Sequence, residues 1–413
     1  MNSFSVQYIT IPPRKRFWLI IIILICLFTT STPLGFMIGN TNLEIIMISI
    51  SIFLSFNYFF KFNYSVLIFL FLLIAIIQIV VYPDRFFNWC RLVLVFWSLR
   101  SLFILTLNKG FDISNIFYKS LFRILCISFT IYLVVEIIKI PIPYITYDSG
   151  WMNIYNLYLG GLYTNVSDFS GGSQIVSLLG FSFKRNYGLF TEPGLLAVFL
   201  NILLFLNLFV LSKRNKHDVF IILLMLISTY STTGIVTALI MIAFYVYIGS
   251  KYYFRVFLFI TIPLLLLYVI NALLVEKQAN AEGSWVARSF DLVASINLFL
   301  KSPLWGWGFE NHDIYRLFSA NLLYERPSSN GLTSILYQLG IIGLLVYVIP
   351  FKRFYKLLQC KKERNIFCLF VVIFVILLMG EPIQYNAIVI AILSFFDAKF
   401  HTSNIYYIYE YKK

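Results

Sequence analysis

Lys184-Arg185-Asn186-Tyr187-Gly188-Leu189-Phe190-Thr191-Glu192-Pro193-Gly194 closes the segment 139–188, which is flanked on both sides by apolar runs of membrane-spanning length. Two adjacent cations and a carboxylate sit in a loop that runs straight into an apolar helix, where membrane meets water. Such a place suits an anionic amphiphile.

Working outward, hydrophobic residues make up 60% and charged residues 12% of 413 positions, and many apolar runs approach twenty residues. The chain therefore reads as an all-α integral membrane protein, a single polytopic domain over 1–413. Arg14, Lys15 and Arg16 precede an apolar run at 17–38 that looks like a secretory signal, but no Ala-x-Ala cleavage pattern follows. It is taken as the first span, with a cytoplasmic N-terminus. Further spans are expected at 43–60, 64–82, 89–107, 121–138, 189–211, 219–230, 234–248, 256–274, 331–349, 365–380 and 384–397, about 12 transmembrane helices in all. The pair 219–230 and 234–248 is short and reads alternatively as one long helix.

The net charge of +14 raises the question of nucleic acid, but topology answers it. With this span order, 21 of 32 basic residues fall on the cytoplasmic side, as the positive-inside rule requires. The charge is a topology signal with attraction to anionic membrane lipid, and no nucleic-acid partner is expected.

Two outer loops are long, 139–188 and 275–330. In the second, 285–300 has helical periodicity. Val286, Phe290, Val293, Ile296 and Leu300 lie on one face and Arg288, Asp291 and Ser295 on the other, so it is expected to lie along the membrane surface. Asp168 to Ser173 reads equally as flexible spacer. Five scattered cysteines and three scattered histidines offer neither a disulfide framework nor a zinc-ligand spacing, and no phosphate-cradling Gly-rich loop with Lys-Ser or Lys-Thr is present. Two arginines lie inside the fourth span. Arg91 is expected to pair with Glu136, and Arg100, with no acid of matching depth, to face an internal cavity or helix carbonyls.

Four features resemble the bacterial O-antigen polymerases and ligases. They are Arg185-x-x-Gly188-x-Phe190-x-Glu192-Pro193-Gly194; Ser228-Thr229-Tyr230-Ser231-Thr232-Thr233-Gly234 between two short helices; Ser302-Pro303-Leu304-Trp305-Gly306-Trp307-Gly308 after the amphipathic helix; and Ser329-Asn330, nine residues, then Gly340-Ile341-Ile342-Gly343. Each is weak alone, but their order and loop placement agree over roughly 150–350. Ligases of this family carry His-Asn where this chain has Ser329-Asn330, which favours a polymerase of the Wzy type.

The resemblance implies a GT-C-like glycosyltransferase architecture in the bacterial cytoplasmic (inner) membrane, with its site on the periplasmic face. It implies undecaprenyl-pyrophosphate-linked glycan as donor and acceptor, no cofactor, and a chain-length regulator as a further partner. The alternatives are a ligase to lipid A-core and a flippase. A leaving diphosphate calls for arginine, whose fork binds phosphate bidentately, so Arg185 and Arg288 are the first candidates, with Lys184 and Arg326 beside them. A proton acceptor for the attacking hydroxyl is sought among Glu192, Glu310, His312 and Glu381, although Glu192 could simply cap its helix and His312 could be a solvated loop histidine. Tyr187, Trp307, Asn330 and Arg100 complete the expected substrate contacts. The many loop aromatics, among them Tyr144, Tyr155, Tyr158 and Tyr163, fit sugar stacking and an interfacial belt equally well.

Overall fold

The computed structural model describes residues 12–59, 66–148, 154–166, 175–178, 181–212, 214–250, 282–320 and 328–410. The helices in chain order are α1 (Pro13–Phe28), α2 (Pro33–Ile38), α3 (Asn40–Phe59), α4 (Val66–Val81), α5 (Phe86–Asn108), α6 (Ile113–Tyr132), α7 (Pro193–Phe205), α8 (Lys216–Thr229), α9 (Thr232–Gly249), α10 (Glu282–Lys301), α11 (His312–Ala320), α12 (Gly331–Leu357), α13 (Lys361–Gly380) and α14 (Ala387–Glu410). Helices stand at the expected spans except 256–274, which lies outside the described residues, and the expected first span, 17–38, is broken between α1 and α2. Among the described residues, 7 helical segments are long and apolar enough to cross a membrane, which makes this a multi-pass membrane chain.

The expectation of an all-α protein needs one correction. Within 139–188 the chain forms an antiparallel three-stranded sheet of β1 (Tyr144–Asp148), β2 (Ile154–Tyr158) and β3 (Tyr163–Val166), and a hairpin of β4 (Ile175–Leu178) with β5 (Phe181–Lys184). The strands are rich in Tyr, Ile, Thr and Val, residues that fill a pleated surface well. Tyr144 pairs with Tyr158, and Tyr158 with Tyr163, across the ladders.

Contacts divide the chain into two units. The first comprises Met1–Leu27, Thr41–Ile113 and Val286–Lys413. Its middle is α5, packed on α14 and α4, while α12 packs on α4, α13 and α14. Trp89, Leu92, Phe96 and Leu99 are buried along α5, and Arg100 is buried with them at 3% exposure. An uncompensated cation there would be very costly, and its Nε lies 2.6 Å from Asp397 Oδ2 of α14, with Arg353 of α12 3.7 Å from the other carboxylate oxygen. Arg100 therefore has an acid at its own depth, contrary to the sequence reading. That reading ended the last span at residue 397, whereas α14 runs on past it.

The second unit comprises Phe28–Asn40 and Ser114–Trp285. Here α7 packs on both α8 and α9, which are separate helices: Tyr230 adopts φ 49 at the end of α8, and the Ser231 hydroxyl caps α9 by accepting from Gly234 N. A Cβ on Gly234 would fall 2.6 Å from that of Ala197, so glycine is what lets α9 approach α7 closely. Glu136, in a π-turn continuing α6, is buried and accepts from Asn165 at 2.5 Å and from Tyr163 at 3.4 Å, with Lys139 3.9 Å away. The expected Arg91–Glu136 pair is thus overturned, because Glu136 is held by the sheet that the loop forms. Tyr158 and Tyr163 pack on Ile131 and Tyr132. Those tyrosines build a core, where the sequence reading allowed sugar stacking and an interfacial belt equally.

Candidate functional site

In the second unit the basic motif is clamped to the turn between α8 and α9. Asn186 N donates to Ser228 O at 2.9 Å, its side-chain amide donates to Ser228 Oγ at 2.9 Å, and its Oδ1 accepts from Gly188 N at 2.9 Å. Gly188 (φ 60) then turns the chain so that its carbonyl accepts from Thr164 N of β3. Just before these anchors Arg185 donates from Nε to Thr229 O at 2.8 Å, which orients the guanidinium plane. Lys184 is tied by its carbonyl to the Tyr132 hydroxyl. Tyr187 is buried among Tyr155, Leu157 and Val166, and burial pushes its phenol up to about 12. Its placement is that of a core residue. Glu192 occupies the N-cap of α7 with an exposed side chain that makes no cap hydrogen bond, so the helix-capping alternative lacks its bond.

In the first unit, the stretch around Gly306 is built into a break in α12. Gly340 has φ 66 and ψ −169, and its neighbours exchange backbone hydrogen bonds with the loop: Trp307 N to Tyr337 O, Gly308 N to Gln338 O, and Ile341 N to Pro303 O. A Cβ on Gly306 would lie 2.3 Å from Gln338 C, and one on Gly340 would lie 2.2 Å from Leu304 O. The glycines are there because two backbones touch. Gln78 of α4, 2% exposed, completes the junction, donating to Trp305 O and Gln338 O and accepting from Phe309 N. The sequence reading passed over Gln78. Its signal was being the one polar residue among the apolar side chains of 66–81.

That junction presents Glu310, whose backbone takes the left-handed φ of 52. Its carboxylate lies 2.7 Å from Arg91 Nη2, and Arg91 Nε lies 3.2 Å from Glu44 Oε2 of α3. Burial raises the Glu310 carboxyl above the usual range, partly offset by Arg91 and Arg85. His312, at the start of α11, is pushed down by burial and then by Arg316 and Arg85, which keeps its imidazole neutral near pH 7. Trp307 is half-buried and donates from Nε1 to Leu298 O.

Asp291 of α10 is fully buried and accepts from Tyr315 OH at 2.6 Å, Ser329 N at 3.0 Å and Ser329 Oγ at 2.5 Å. Asn330 caps α12 through Oδ1 on Thr333 N. The sequence placed Asp291 and Ser295 on the outer polar face, yet both are buried, whereas Val293, Ile296 and Leu300 are exposed. The face that carries Asp291 and Ser295 is the one packed inside. Glu381 is buried at the end of α13. Arg326 and the side chain of Arg288 lie outside the described residues.

Residues 219–348 match the family model described as O-antigen ligase. The matched segment holds the turn that grips Arg185, the glycine junction, Glu310 and Ser329-Asn330, while Arg185 and Arg91 precede it. It supports a place among the O-antigen polymerases and ligases without separating the two. Neither the curated proteins nor the solved structures compared contain a match to the chain.

Proposed function

We propose that this chain polymerises lipid-linked oligosaccharide repeat units of a bacterial surface polysaccharide. The growing glycan leaves its undecaprenyl pyrophosphate and joins the nonreducing end of an incoming lipid-linked repeat, with inversion at the anomeric carbon, on the outer face of the cytoplasmic membrane. The remaining crossings complete twelve spans of GT-C-like architecture, and a chain-length regulator is the further partner. Arg185 binds the leaving diphosphate, a task suited to a planar fork that stays charged, with Lys184 beside it. Arg288 and Arg326 are further candidates for binding phosphate, and Trp307 and Asn330 for contacting the glycan.

The observation that carries this reading is the clamp of Arg185 on the turn Ser228–Gly234, which lies inside the segment matching the ligase family model. Ser329 in place of histidine favours polymerase over ligase. Ligase is the second reading, because the family model carries that description. Nothing in the match supports the flippase reading. The test is to delete the gene and resolve the surface glycan by size. Core bearing single repeats identifies a polymerase, and core bearing none identifies a ligase.

A further inference from the structure

Glu44, Arg91 and Glu310 come from α3, α5 and the second outer loop, and meet near the start of both helices. One guanidinium serves two carboxylates, so the cluster carries one more negative charge than positive. Its side chains are 12%, 27% and 21% exposed, which leaves Glu310 partly reachable from outside while Glu44 sits deeper. The loop holds Glu310 in a strained backbone conformation of the kind that persists only where its surroundings over-determine it. Here Glu310 N donates to Gln338 Oε1, Arg85 Nη1 donates to its carbonyl, and His312 N closes the turn on that same carbonyl. This is more fixation than docking a loop requires.

We infer that Glu310 is the catalytic base that takes the proton of the attacking sugar hydroxyl, and that Arg91 and Glu44 are positioning residues that aim its carboxylate and set its charge. The inference rests on the glycosyl-transfer reading. As the acceptor oxygen bonds to the anomeric carbon, its proton passes to a Glu310 oxygen, and the bond from that carbon to the diphosphate oxygen breaks with its electron pair on the diphosphate. The protonated carboxyl then returns its proton to water. Among the other carboxylate candidates, Glu192 stands exposed at a helix start and Glu381 is buried at a helix end, whereas Glu310 is partly exposed and ion-paired to Arg91.

The groups facing the cluster fix the sign of its response. Arg91 and Arg85 favour the Glu310 carboxylate, Glu44 lies across Arg91 from it, Tyr385 faces it from the turn after α13, and Asp313 is drawn to Arg85 at 3.3 Å. Cys26 of α1 faces Glu44. Removing the Glu44 charge lowers the proton affinity of Glu310, and removing the Arg91 charge raises it.

The experiment uses the full chain in proteoliposomes with lipid-linked repeats, measuring turnover against pH. Glu310→Gln is expected to lose ~100-fold or more in kcat with KM little changed, and Glu310→Asp to recover part of it. In Glu44→Gln the acid limb of the profile moves to lower pH, and in Arg91→Gln it moves to higher pH. A loop-docking role would lower protein level without moving either limb. Wild-type turnover in Glu310→Gln, or fixed limbs in both other variants, overturns the inference while the polymerase reading stands. A wild-type chain that makes no polymer from these repeats overturns both.

Discussion

Arg185 donates from Nε to the carbonyl of Thr229, so a signature residue of the first long loop is oriented by a backbone atom of the turn between α8 and α9. Lysine at 185 would keep the charge but lose both this bond and the fork. Arg185→Lys is expected to lose ~100-fold in polymerisation rate, read as the length distribution of surface glycan at equal protein level. Wild-type lengths would remove Arg185 from the site.

Asp291 is a fully buried carboxylate satisfied by Tyr315 and Ser329. Asp291→Ala orphans those donors, and hydrogen bonds to a charged group contribute about 1.5–3 kcal/mol each. A fall in thermal midpoint in detergent is expected. Ser329→Ala should give a smaller fall, since the backbone N–H of residue 329 still donates.

At the glycine junction a single methyl group meets backbone. Gly340→Ala places Cβ within 2.2 Å of Leu304 O at a positive φ, so it is expected to cost ~3 kcal/mol or more and to deplete the protein from the membrane. Gly249→Ala, where a Cβ meets nothing within 4 Å, is the control, and equal abundance of the two would contradict the docking.

Asp397→Ala leaves Arg100 buried beside Arg353 without its acid, a loss of ~3–5 kcal/mol. The double variant Arg100→Leu with Asp397→Leu should recover abundance. If it recovers glycan length as well, Arg100 takes no part in substrate binding. Recovery of abundance alone would restore that role.

Membrane-crossing helices were legible because long apolar runs bounded by basic residues can hardly be anything else, and 7 of the described helical segments are long and apolar enough to cross. Partners were harder to read. Matching Arg91 to Glu136 by depth considered neighbouring spans only, and overlooked both Glu44 and the chance that a loop glutamate, Glu310, would reach down to the same level. The face of α10 was misjudged for a related reason: polar residues were assumed to turn outward to water, but Asp291 finds its hydrogen bonds inside the protein, with Tyr315 and Ser329. In the glycine-rich motif the residues were recognisable. Their purpose as a backbone-to-backbone contact shows only when residues 303–308 and 337–342 lie side by side.

The ion pair of Arg100 with Asp397 joins residues 297 positions apart. At synthesis rates of ~5–20 residues per second, the arginine waits roughly 15–60 s for its acid to be made. Helix α5 must therefore enter the bilayer carrying an unanswered cation, and it can take its final place only when α14 arrives. Assembly of this unit is completed from its C-terminal end, because the acid that answers the buried cation is made last.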